Sequence, residues 1–183
     1  MRTLVLGGIR SGKSQWAETA IAESTAAGQP VRYLATGATP AGDADWSARI
    51  AAHRARRPSH WKTVETVDVP TQLRSGVATP TLVDDIGGWL TAVMDRRGAW
   101  TMGSVAADVA DLIDAVGAFS SPLALVSPEV GMTVVPQTAS GRRFADELGS
   151  LNQRLAGLCD RVVLVVAGQP LAVKEPCRAE ARR

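Results

Sequence analysis

The stretch LVLGGIRSGKSQWAE, residues 4–18, limits the fold more than any other. An apolar run stops at two glycines, a Lys stands between Gly and Ser, and a helix-like pattern begins. Within it, Gly7-Gly8-Ile9-Arg10-Ser11-Gly12-Lys13-Ser14 satisfies GxxxxGK[ST]. The chemistry explains the spacing. Gly7 and Gly12 permit backbone conformations in which successive N–H groups point inward at phosphate oxygens. A helix starting near Lys13 aims its positive dipole end at the same anion. Lys13 reaches terminal phosphates, and the Ser14 hydroxyl can ligate Mg²⁺.

The rest of the chain repeats the strand–helix order. TLVL (3–6), VRYLA (31–35), TLVD (81–84), PLALVS (122–127) and RVVLVVAG (161–168) read as strands covered on both faces, being apolar without polar alternation. Helical patterns fall at 13–26, 44–57, 87–96, 104–118 and 142–158. In the last, Phe144, Leu148, Leu151, Leu155 and Leu158 share one face. This alternation predicts an α/β fold of the P-loop NTPase kind, a mainly parallel sheet with helices on both faces. Residues 1–183 read as a single domain, with 36–43 a mobile loop and PCRAEARR a frayed tail.

Composition narrows the partners. The chain has 183 residues, 45% hydrophobic and 21% charged, with net charge +2. That balance points to neither nucleic acid nor a membrane surface. Cys159 and Cys177 form no CxxC and no disulfide framework, and Cys159 reads as a small core residue. No apolar run approaches the roughly 20 residues that span a bilayer, and no signal peptide is visible, so the expected location is cytoplasmic.

A bound Mg²⁺–triphosphate needs a second acidic group, to be sought at the end of a neighbouring strand. TLVDDIGG supplies it. Asp84 is the better placed carboxylate, while Asp85 reads as a helix N-cap. Asp84-Asp85-Ile86-Gly87 also matches DxxG of regulatory GTPases, but no Asn-Lys-x-Asp guanine element follows. Segment 49–65, RIAAHRARRPSHWKTVE, carries the other candidate chemistry. Arg49, His53, Arg56 and Arg57 largely share a helical face that Pro58 ends. His53 suits a base or nucleophile beside polyphosphate, its arginine neighbours stabilising negative charge. The same spacing also fits an exposed basic helix.

Assembled in order, these residues resemble the bifunctional adenosylcobinamide kinase / adenosylcobinamide-phosphate guanylyltransferase family of cobalamin biosynthesis. The resemblance covers about residues 3 to 174. It runs through the Gly-Gly-x-Arg-Ser-Gly-Lys-Ser loop, YLATG (33–37), RIAAHRARRPSHWKTVE, VSPEVGMTVVP (126–136) and RFADELGSLNQRLAGLCDRVVLVVAGQPLAVK (143–174). It implies two reactions: a nucleoside triphosphate, ATP or GTP, phosphorylates adenosylcobinamide, and GMP from GTP then passes to that phosphate, giving adenosylcobinamide-GDP and pyrophosphate. It further implies a homo-oligomer, trimers being known. Residue by residue, it gives Gly7 to Ser14 to the phosphates and Ser14 with Asp84 to Mg²⁺. Ala35, Thr36, Gly37 and Glu65 would contact nucleotide. His53, Arg54 and Arg56 would lie at the guanylyl site, His53 carrying GMP as a phosphoramidate.

Three positions depart from the family pattern. Many members have two adjacent His, of which the first carries GMP; here that position is Ala52 and only His53 remains. Either His53 takes the role or the covalent step is altered. Pro128 stands where Asn is usual, in a segment that resembles an acceptor contact, and Asp84 where some members have Glu. Arg142, Arg143 and Arg154 read as solvated helix residues, with phosphate or corrinoid contact the sharper alternative. Asn152-Gln153 read as structural, with a neighbouring subunit as the alternative. Trp16, Trp89 and Trp100 read as core or interface. A single-activity small-molecule kinase and a GTP-binding regulator stand as rival functions.

Overall fold

The computed structural model describes residues 1–37 and 57–176. The helix expected at 44–57 thus falls outside the described residues except for Arg57, as do most of the 36–43 loop and all of the tail after Pro176.

The described elements run β1 (Arg2–Gly7), α1 (Lys13–Glu23), β2 (Arg32–Ala35), β3 (Lys62–Glu65), α2 (Val69–Ser75), β4 (Thr81–Asp84), α3 (Ile86–Arg97), α4 (Ala106–Ala118), β5 (Leu123–Pro128), α5 (Ala139–Leu158), β6 (Arg161–Val166) and β7 (Gln169–Lys174). They form one seven-stranded sheet in the order β3-β2-β4-β5-β1-β6-β7. Every pairing is parallel except β6–β7. The α/β reading holds. β3, α2 and β7 were not expected from the sequence.

Alternation along the strands sorts the core into two faces. Leu4, Leu34, Val83 and Leu125 pack with α2, α3, α4 and α5. Val5, Tyr33, Leu82, Val126 and Val163 pack with Ala17 and Ile21 of α1. Helices therefore cover both faces, α1 alone on one of them among the described elements. In α5 the stripe Leu148, Leu151 and Leu155 is fully buried, each such side chain contributing about 1.5–3 kcal/mol by leaving water. Thr138 caps that helix by accepting from Gly141 N–H at 3.1 Å.

Trp89 is buried in the core, and Trp100 packs on it from the edge, stacked with Phe144 at 6.2 Å between centroids. Cys159 is buried, which pushes its thiol up to about 12 and leaves it inert. No helix among the described residues is long and apolar enough to cross a membrane.

Candidate active site

β1 delivers the glycine loop to the carboxyl edge of the sheet, and α1 starts directly after it. The loop turns through left-handed conformations at Arg10 (φ 57°) and Gly12 (φ 93°). Lys13 Nζ donates to Gly8 O at 3.2 Å, closing the loop on itself. Ser11 is buried, its hydroxyl has no hydrogen-bond partner among the described residues, and it lies beside Gly7. A Cβ at Gly7 would come within 2.7 Å of Val165 O, so glycine is required there.

The β6–β7 turn braces this loop from outside. Gly168 N–H donates to Ser11 O at 2.8 Å, and a Cβ on Gly12 would touch Gly168 Cα at 3.2 Å. Both turn residues, Ala167 (φ 50°) and Gly168 (φ 78°), are left-handed. Sequence reading gave this turn no part in the site. The signal available in the sequence was a glycine closing the apolar run RVVLVVAG, the residue type that most readily takes the left-handed conformation of a tight turn.

At the end of β4, Asp84 faces the loop. Its Oδ1 accepts from Ser14 Oγ at 3.2 Å, and its Oδ2 accepts from Tyr33 O–H. Asp85 caps α3, accepting from Gly88 N–H. Burial, with the Asp84 charge nearby, raises the Asp85 carboxyl above its ordinary value against the pull of that N–H. A hydroxyl and a carboxylate oxygen facing each other are hard donors that fit Mg²⁺. Among the described residues no group of three or more His, Cys, Asp and Glu could hold a metal. So sparse a donor set suits an ion that keeps water and phosphate oxygens in its shell.

Residues 3–173 match the family described as cobinamide kinase / cobinamide phosphate guanyltransferase. The chain belongs to this family. It is 41% identical to the bifunctional adenosylcobalamin biosynthesis protein CobP of Pseudomonas aeruginosa, over 95% of this chain and 98% of that one. It is 34% identical to the bifunctional adenosylcobalamin biosynthesis protein CobU of Escherichia coli, over 95% of this chain and all of that one. Among solved structures, an ATPase from the type III secretion system of pathogenic bacteria matches with TM-score 0.57 at 13% identity, over 89% of this chain and 50% of that one. That likeness concerns the fold alone.

The remaining residues of this cobinamide kinase / guanyltransferase chain sort as follows. Parallel register sets Ala35 beside both Asp84 and Glu65, so the three form a row at the carboxyl edge. Thr36 is buried, and its hydroxyl is committed to the Asp85 backbone: it accepts from Asp85 N–H at 2.9 Å and donates to Asp85 O. It pins the β4–α3 corner. Gly37 is exposed beside it. His53, Arg54 and Arg56 lie outside the described residues. Arg57 departs from its expected place on a phosphate-facing basic surface. Its side chain is only 8% exposed, pairs with Glu18 at 3.7 Å, donates to Thr63 Oγ1 at 2.9 Å and lies over the Tyr33 ring.

Other polar residues serve the scaffold. Asn152 is buried, accepts from Ser127 Oγ at 2.6 Å and donates to Pro128 O at 3.1 Å. It fixes the end of β5. Arg142 donates to the carbonyls of Pro136 and Gln137, and Arg143 to those of Thr101 and Gly103. Pro128 itself packs against Gly87, where a Cβ would meet its ring at 2.8 Å. Gly87 is thus a buried helix residue, which leaves the DxxG reading without support.

Proposed function

We propose that this chain phosphorylates adenosylcobinamide with a nucleoside triphosphate, then transfers GMP from GTP to the new phosphate, releasing pyrophosphate. The observation that carries the first step is Ser14 facing Asp84 across 3.2 Å at the mouth of the glycine loop, in a chain whose family match spans residues 3–173.

In the kinase step the loop N–H groups and Lys13 hold the β- and γ-phosphates. Lys13 leaves Gly8 O for the phosphate and neutralises charge as the γ-phosphoryl moves to the acceptor hydroxyl. Ser14 and Asp84 would hold Mg²⁺, which supplies electrostatic stabilisation of the phosphoryl oxygens. The work of the chain is positioning and charge neutralisation. The acceptor side is the segment after β5. It starts at the loop, with Glu129 N–H donating to Gly7 O at 3.1 Å, and exposes Met132, Val134 and Val135.

In the guanylyl step His53 attacks the α-phosphorus of GTP and pyrophosphate leaves. The phosphate of adenosylcobinamide phosphate then displaces the imidazole, regenerating His53. We place the enzyme in the cytoplasm as a homo-oligomer, in line with the family.

The test is a single turnover with α-32P-GTP and Mg²⁺ without corrinoid, comparing the protein with His53→Ala. Acid-labile label on the wild type and none on the variant is the expected result. An unlabelled protein that releases pyrophosphate only when adenosylcobinamide phosphate is added transfers GMP directly. One that releases none, yet phosphorylates adenosylcobinamide, is a kinase only.

A further inference from the structure

Tyr33 is the only tyrosine of the chain and is buried in the face covered by α1. Its hydroxyl donates to Asp84 Oδ2, the oxygen that Ser14 does not touch. Above its ring, 3.3 Å from the centroid, lies the Arg57 guanidinium. Arg57 is held in turn by Glu18 of α1 and Thr63 of β3. Glu18, Arg57, Tyr33 and Asp84 therefore form a polar strut under the glycine-loop helix, with the Arg57 and Glu18 side chains 8% and 11% exposed.

We propose that Tyr33 is a positioning residue for the metal-facing carboxylate of Asp84, and that Arg57, pinned by Glu18, holds the Tyr33 ring in place. The inference rests on the kinase reading above.

Chemistry favours a phenol at this point. A carboxylate meant for a cation must be oriented without losing its charge. An arginine in contact with Asp84 would orient it and also cancel it. A phenol orients it and stays neutral. An ordinary phenol ionises only at about pH 10, so at neutral pH it keeps its proton and remains a donor. The positive charge of Arg57 is kept one ring away from Asp84 and is spent on Glu18. Among the described residues no cation lies within ion-pair distance of Asp84. Partners behind a metal ligand commonly set its affinity by 10- to 100-fold.

The test uses the whole chain, with a fluorescent mant-GTP probe titrated with Mg²⁺. Tyr33→Phe removes one oxygen and keeps the ring. The expected result is an apparent Mg²⁺ affinity about tenfold weaker than wild type, with mant-GTP affinity in EDTA and thermal midpoint near wild type. Arg57→Lys keeps the charge, loses the flat stack, and should shift Mg²⁺ affinity the same way by less. It also serves if Tyr33→Phe fails to fold. The double variant should resemble Tyr33→Phe alone, since both act through one carboxylate. Wild-type Mg²⁺ affinity in Tyr33→Phe, whatever its thermal midpoint, overturns the proposal and leaves the hydroxyl as core packing. A wild type that binds Mg²⁺–mant-GTP but leaves adenosylcobinamide unphosphorylated overturns the kinase reading instead, and the Mg²⁺ comparison still decides Tyr33.

Discussion

Asp84 at the carboxyl edge of the sheet accepts from two neutral hydroxyls, those of Ser14 and Tyr33. Asp108 on the flank of the molecule accepts from two guanidiniums, with Arg96 Nη2 and Arg97 Nε each at 2.8 Å. Both carboxylates are fixed in direction, yet only one is neutralised. Asp108 has its countercharge within the fold and joins α3 to α4. Asp84 is oriented with its charge uncancelled, which is costly for the protein alone and useful once a cation arrives. The difference separates a carboxylate kept for stability from one kept for a ligand.

The largest effect that probes this contrast is Asp84→Asn. Phosphorylation of adenosylcobinamide should fall by at least about 100-fold, the scale of losing one electrostatic stabiliser of a transition state. The thermal midpoint should hold or rise, because an amide can still bond both hydroxyls without a half-buried, unpaired charge. Parallel turnover assays and thermal melts check both halves. A clear drop in midpoint would place Asp84 with Asp108 as a structural group.

Gly7→Ala should act next most strongly. The new methyl would meet Val165 O at 2.7 Å and crowd the buried Ser11 hydroxyl. The loop must shift, so nucleotide affinity should fall about tenfold and stability by about 1–3 kcal/mol, the cost of overpacking. Equilibrium binding of mant-GTP and denaturant titration measure the two. Unchanged affinity would mean that the tight packing of the glycine loop against Val165 is incidental to phosphate binding.

Much of this arrangement is legible in the sequence, and what is not has physical causes. β1, β4 and β5 are apolar through their middles (4–6, 82–83 and 123–126) because both faces are covered, and the glycine loop is dictated by its phosphate chemistry. Ser14 and Asp84 could be paired on paper because a triphosphate needs both. β3 and β7 could not be read: KTVE is half exposed and QPLAVK exposed along its whole length, so pairing with a neighbouring strand decides them. The seven-residue α2 is too short to show a period. Tyr33 looks like any strand core residue until β2 is known to lie beside β4. Arg57 looks like a phosphate ligand until Glu18 and the Tyr33 ring are seen to hold it. Spacing along the chain reports faces of one element, and both residues act between elements.

Asp108→Asn should have the smallest effect, and its pH dependence carries the information. Hydrogen bonds from Arg97, and then Arg96, hold the Asp108 carboxyl below its ordinary value. The unfolded chain binds a proton more readily than the folded one between the depressed value and 3.8. The stabilisation is therefore fully present above the ordinary carboxylate range and is lost as pH falls through the folded value. At neutral pH the variant should melt slightly below wild type, since both arginines are largely exposed and water screens the pair. The gap should close as the melts are repeated at falling pH, while Mg²⁺-dependent turnover at neutral pH stays at the wild-type level. A gap that persists in acid would mean that Asp108 works by packing. A loss of turnover would tie the flank to the site and break the division of labour between the two carboxylates.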